Sequence, residues 1–133
     1  MIMGKEIKLP FPTDMTVEGF NISVVSAAGF EIQYDCYDHD SVIHKISIIF
    51  SNVLAITYLQ EATIKMEHLE GFNKLMEYRD SVWLKEIVGR WAKRHPRWAT
   101  EDRINSYAHY RIYFDDLGAI DIIADGYEIK SED

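Results

Sequence analysis

A chain of 133 residues has single-domain size, and with 47% hydrophobic and 13% aromatic residues it can build a core without metal or disulfide staples. A formal net charge of −8 opposes general affinity for nucleic acid or an anionic membrane surface, and no apolar run nears the ~20 residues of a membrane span. The lone Cys36 cannot close an internal disulfide, and the opening MIMGKEIKLPFP has charges and prolines where a signal peptide needs an apolar stretch, so a cytoplasmic location is expected.

Residues 1–15 read as an extended lead-in, with Pro10 and Pro12 opposing regular structure. Phe20–Ser26 and Glu31–Asp38 read as strands joined through Ala27-Ala28-Gly29, and Ile32, Tyr34 and Cys36 alternate onto one face of the second. Ile43–Phe50 and Val53–Leu59 predict a hairpin around Ser51-Asn52, pairing Phe50 with Val53, Ile48 with Ala55 and Ile46 with Thr57. Apolar residues on both faces would put these strands near the middle of a sheet.

From Glu61 to Arg79 the pattern does not decide between helix and loop. Leu69, Phe72, Leu75 and Met76 have helical spacing, but Gly71 interrupts them. Ser81–His95 is a clearer helix, capped by Ser81 or Asp80, striped by Leu84, Ile87, Val88 and Trp91, and stopped by Pro96.

Tyr107–Asp125 predicts its own hairpin. A loop of Asp116-Leu117-Gly118, with Gly118 left-handed, pairs Asp115 with Ala119, Phe114 with Ile120, Ile112 with Ile122 and Tyr110 with Ala124. The other face then pairs Tyr113 with Asp121, Arg111 with Ile123 and His109 with Asp125. Residues 126–133 read as a flexible tail. The sum is one α+β domain over residues 1–133: a mostly antiparallel sheet of about six strands, with one or two helices inserted between strands four and five and packed on one face.

Charge is unevenly spread. Arg79 to Arg111 holds eight basic residues against four acidic ones, leaving six basic and eighteen acidic elsewhere. Such a dipolar surface can steer a charged partner, and it is equally what one solvated helix on an acidic domain looks like.

The richest set of metal-ligand types is Asp35–His44, DCYDHDSVIH. Its adjacent Asp38, His39 and Asp40 cannot all point one way on a strand, and no zinc or calcium spacing is present, so a polar turn is the plainer reading and no metal or cofactor is expected. Cys36 shares an apolar alternation with Ile32 and Tyr34, which suits an inert buried thiol, so no catalytic residue is assigned there.

On the last hairpin, His109, Arg111, Tyr113, Asp121 and Asp125 share a face that suits an anionic or aromatic ligand, or acid–base work with His109 oriented by Asp125. The same set also describes a salt-bridged sheet surface or one lying under a helix. Trp91 lies on the helix stripe and reads as core, whereas Trp98, with Arg94 and Arg97, is a candidate interaction patch.

The segment Ala108–Ile129, AHYRIYFDDLGAIDIIADGYEI, with Ser81-Val82-Trp83-Leu84 upstream, resembles small uncharacterised bacterial α+β proteins of the kind found as immunity proteins in contact-dependent or polymorphic toxin systems. The resemblance covers the last third of the chain, and its strand residues transfer no functional role. It implies a protein that works by binding and covers a cationic toxin domain. Asp35, Asp38, Asp40, Asp115, Asp116 and Asp121 would then supply complementary charge, with Tyr37 and Tyr113 as anchors.

A non-enzymatic protein-binding module is thus the first expectation. A small-molecule-binding domain or minor enzyme using the His109, Arg111, Tyr113 and Asp125 face is the alternative. A homo-oligomer, such as a dimer through a strand edge or the Trp98 patch, is the third.

Overall fold

A computed structural model describes residues 4–9, 17–24, 29–37, 40, 42–59, 74–114 and 118–132, with backbone alone for 17–24, 37, 114 and 132. Among these residues the order is β1 (Gly4–Ile7), β2 (Val17–Val24), β3 (Phe30–Tyr37), β4 (Ile43–Ser51), β5 (Ala55–Leu59) and β6 (Leu75–Tyr78). Helices α1 (Val82–Arg94) and α2 (Glu101–Ser106) follow, then β7 (Ala108–Phe114), β8 (Gly118–Ala124) and β9 (Gly126–Glu132).

Every pairing is antiparallel, which matches the expected α+β class. The single sheet of about six strands is corrected to two sheets, with nine strands among the described residues. One runs β1-β6-β7-β8-β5 and the other β2-β3-β4-β9. The helices follow the sixth strand rather than the fourth.

Strand alternation builds the core. Phe30, Ile32, Tyr34 and Cys36 of β3, with Ile46, Ile48 and Phe50 of β4, face Tyr110 and Ile112 of β7 and Ile120 and Ile122 of β8 in one buried cluster. Phe50 and Tyr127 of one sheet place their rings 5.3 and 5.5 Å from that of Tyr110 in the other, so the sheets pack face to face.

The predicted β4–β5 hairpin does not form. The two segments belong to different sheets, β4 pairing with β3 and β9 and β5 with β8. The favoured two-residue reversals need positive φ at their first central residue, which would be Ser51, whereas at this corner Asn52 alone has it, at φ 49. The chain therefore turns a corner instead of folding back. Asp125, between β8 and β9, ties that corner: it accepts from Ser51 Oγ at 2.8 Å and Asn52 Nδ2 at 2.7 Å, while its amide donates to the Ser51 carbonyl at 3.1 Å.

Two further segments differ from expectation. Leu75 and Met76, placed in an undecided helix or loop, are strand residues of β6 opposite Ile112 and Arg111. Gly126–Glu132, expected as a flexible tail, is β9, and pairs along β4 from Gly126 with Ser51 to Glu132 with Lys45. Part of the expected extended lead-in pairs as β1 with β6. Leu69 and Phe72 lie outside the described residues.

The last hairpin forms two residues out of the predicted register. Phe114 faces Gly118, Ile112 faces Ile120, Arg111 faces Asp121 and His109 faces Ile123. A slip of two leaves every side chain on its expected face but changes its neighbours. Gly118 has the expected positive φ, at 111, yet it opens β8. The observed register opposes Arg111 and Asp121 directly, a charge match that the predicted one lacks.

Candidate functional site

The ionisable cluster on the outer face of β7 and β8 is assembled by the start of α1. Ser81 caps that helix, its Oγ accepting from the Leu84 amide at 3.1 Å. Leu84 and Val88 then pack with Tyr107 and Ile123, flanked by Trp83, Ile87 and Trp91, so the predicted stripe holds α1 against the sheet. Pro96 follows the C-cap His95, as expected.

Beneath the cap, His109 bridges two elements. Its Nδ1 lies 2.9 Å from Ser81 Oγ and its Nε2 lies 2.6 Å from Asp121 Oδ1. Arg111 Nε donates to the same Asp121 oxygen at 2.8 Å, and the guanidinium sits 5.3 Å from the Tyr78 ring centroid. Trp83 covers the imidazole edge-on, at 5.0 Å between ring centroids. Ser81, His109, Arg111 and Asp121 are all buried. Burial alone would raise the Asp121 carboxyl, but the hydrogen bonds and charges of His109 and Arg111 outweigh it and hold the group below its ordinary value.

Serine, histidine and aspartate thus stand in the order of an acyl-transfer triad, with the imidazole between hydroxyl and carboxylate. The setting opposes that chemistry. The hydroxyl already serves as the helix cap and is 2% exposed, so a substrate carbonyl has no approach to it. What this arrangement can do is neutralise a buried carboxylate and pin the first turn of α1 to the sheet.

The proposed ligand face therefore divides. His109, Arg111, Asp121 and Tyr113 are buried, the first three joined in one network. Asp125 is not the partner of His109: it sits at the corner with Ser51 and Asn52, and Asp121 takes the orienting role. The His109 end of this face lies beneath the start of α1, whereas the ligand reading required the face to line an open concave pocket.

The proposed partner residues also divide. Trp98 is 63% exposed, with exposed Arg94 and Arg97 nearby in sequence. Its amide donates to the His95 carbonyl at 3.0 Å, which fixes the turn after α1. Asp35 is half-buried opposite Lys45, and Asp40 is exposed. Asp38, Asp115 and Asp116 lie outside the described residues, and Tyr37 is described through its backbone, in β3. Cys36 faces the core opposite His44, and among the described residues no three His, Cys, Asp or Glu side chains form a group that could hold a metal.

Two concavities border the helices. One, of about 470 Å³, is lined by Leu54, Ile87 and Trp91 and by the basic Arg90, Lys93 and Arg94. The other, of about 490 Å³, lies between α1 and α2, with Leu84, Val88, Ile104 and Tyr107 among its walls. The sequence reading missed α2, although Thr100 caps it by accepting from Arg103 N and Glu101 and Asp102 fill its first turn. That signal was present at residues 100–102. The link from Ser81 to His109, 28 positions apart, has no local signature.

Family models, curated proteins and solved structures were compared with the chain, and none of them matches. Among the described residues, no helix is long and apolar enough to cross a membrane.

Proposed function

We propose that this chain is a protein-binding module, an immunity-like inhibitor that covers a toxin-type partner domain through charged and aromatic surface. Trp98 carries the reading: a tryptophan left 63% exposed beside two exposed arginines is the composition of an interface anchor. The sealed Ser81–His109–Asp121–Arg111 network supports the same view, because it commits the best-placed ionisable groups to the fold. The acidic balance outside Arg79–Arg111 suits cationic surface elsewhere on that partner, away from the arginines beside Trp98, with Asp35 and Asp40 the proposed acidic contacts within the described residues.

The test immobilises the protein and its Trp98→Ala and Arg94→Glu/Arg97→Glu variants, and exposes each to lysate of the native cells at low and high salt. One partner retained by the wild type at low salt, and lost with either variant, is expected. Capture that ignores both variants would remove the Trp98 patch from the reading, and no partner at either salt would overturn the module itself.

A homo-oligomeric reading has one observation of its own. Ile56 and Tyr58 of the edge strand β5 are 41% and 49% exposed, and β5 has no second strand neighbour among the described residues. Sedimentation at several concentrations separates this case, since a concentration-independent monomer excludes it.

A further inference from the structure

The concavity at the C-terminal end of α1, of about 470 Å³, joins an apolar floor to a cationic rim. Leu54, Ile87 and Trp91 are half-buried and form the floor. The rest of the lining is Arg90, Lys93, Arg94 and His95, all exposed, and no acidic residue lines it.

Helix polarity accounts for part of this pattern. Lys93 and Arg94 stand in the last turn of α1, where the negative end of the dipole favours cations. It does not account for the missing ion pairs. The chain has 22 acidic residues against 14 basic ones, so acidic partners are in excess. Yet of the three permanent cations on this rim only Arg90 has one among the described residues, Glu86, one turn back. Unmatched like charges around a concave apolar wall focus a positive field, and its complement has to come from another molecule.

The exposed aromatic belongs to the same end. The Trp98 amide donates to the carbonyl of His95, a rim residue, at 3.0 Å, so the indole stands on the turn fastened to the rim. Nucleic acid is the other polyanion to consider. A long phosphate backbone would meet the net −8 of the whole chain, whereas a short acidic segment meets only this local cationic surface.

We propose that the α1 end beside Trp98 takes an acidic peptide segment of the partner. Its carboxylates accept from Lys93 and Arg94, and an adjacent apolar side chain enters the concavity against Leu54, Ile87 and Trp91. The inference rests on the Trp98 patch being the partner-facing surface, and adds the chemistry of what that surface meets.

The probe is a fluorescein-labelled peptide, EELEEF, with the uncharged QQLQQF and a ten-residue oligothymidylate for comparison, each followed by anisotropy against the full chain at low salt. EELEEF should bind, and QQLQQF about tenfold more weakly, the loss expected for one charge-assisted contact. Lys93→Gln/Arg94→Gln should weaken EELEEF by a similar factor. Lys45→Gln/Lys130→Gln removes two exposed charges from the other sheet and should leave the affinity unchanged. Absence of EELEEF binding, equal affinity for QQLQQF, tighter binding of the oligothymidylate, or equal losses in the two folded double variants would each overturn the proposal. The titration needs no native partner, so its failure is distinct from a failure of lysate capture. A partner lost with Trp98→Ala but retained by Lys93→Gln/Arg94→Gln would keep the binding module and overturn the acidic segment.

Discussion

Asn52 and Asp125 are joined side chain to side chain: the Asn52 amide donates to Asp125 Oδ2 at 2.7 Å across 73 positions of sequence. Asp125 also takes the Ser51 hydroxyl, so one carboxylate holds the corner where β4 leads to β5 and β8 leads to β9, each pair crossing between sheets. Asp125→Ala should lower the stability of the fold by about 1–3 kcal/mol, because two side-chain donors lose their acceptor together. Asn52→Gly should cost less, since glycine tolerates the positive φ that Asn52 adopts. Urea unfolding checks both; an Asp125→Ala midpoint equal to wild type would show that the ladder alone holds the corner.

Asp121 sets a pH dependence whose sign follows from its environment. Its folded carboxyl titrates below the ordinary 3.8, so at acid pH the unfolded chain binds the extra proton. The stabilisation is complete above that value and is lost as pH falls below it. Urea midpoints at pH 7, 4 and 3 should therefore drop in the wild type, and the drop should shrink in Asp121→Asn. That variant should also be less stable at pH 7 by about 3–5 kcal/mol, because it removes one partner of the buried Arg111–Asp121 ion pair. Parallel pH profiles for the two proteins would assign the acid loss to other carboxylates.

Much of the inward-facing pattern was legible. Ile32, Tyr34 and Cys36, and Tyr110, Ile112, Ile120 and Ile122, alternate at the strand period and do face the core. Ser81, the Leu84–Trp91 stripe and Pro96 located α1 because caps, periodicity and proline act locally. Sheet membership was not legible in the same way. β4 and β5 have apolar residues on both faces, which suits a hairpin and a sheet-switching corner equally well, and the deciding residue, Asp125, lies more than 70 positions away. The four residues of β6 are too short to show a period, and β9 depends on β4 for its register. Of the candidate site, the face shared by His109, Arg111 and Asp121 followed from alternation. Its closure by Ser81 and Trp83 is a tertiary contact, and so is the groove made by α1 and α2.

The Ser81–His109 contact should show as an energetic coupling. Ser81→Ala removes a helix cap worth about 1 kcal/mol and also the Nδ1 partner of His109. His109→Ala removes the Asp121 contact and the ring packed against Trp83 and Tyr78, so it should destabilise more strongly. In a double-mutant cycle the two losses should fall short of additivity by about 0.5–3 kcal/mol, since the second substitution finds the bond already broken. Strict additivity would mean that the cap and the imidazole act independently.

Gly118 offers a test of the observed register. It has φ 111, and a Cβ there would lie 2.2 Å from the carbonyl oxygen of Leu59, at the end of β5. Backbone cannot withdraw as a flexible side chain would, so Gly118→Ala combines an unfavourable conformation with a clash. A loss of at least about 1–3 kcal/mol is expected from the backbone conformation alone. In the predicted register Gly118 would sit in a loop opposite no strand residue, and alanine would cost only the positive φ. Amide exchange across Leu59–Ala119 distinguishes the two, because the observed pairing puts β5 directly against the start of β8. Faster exchange along β5 in Gly118→Ala would establish the close approach, whereas a loss of stability with β5 protection intact would place the strain within Gly118 itself.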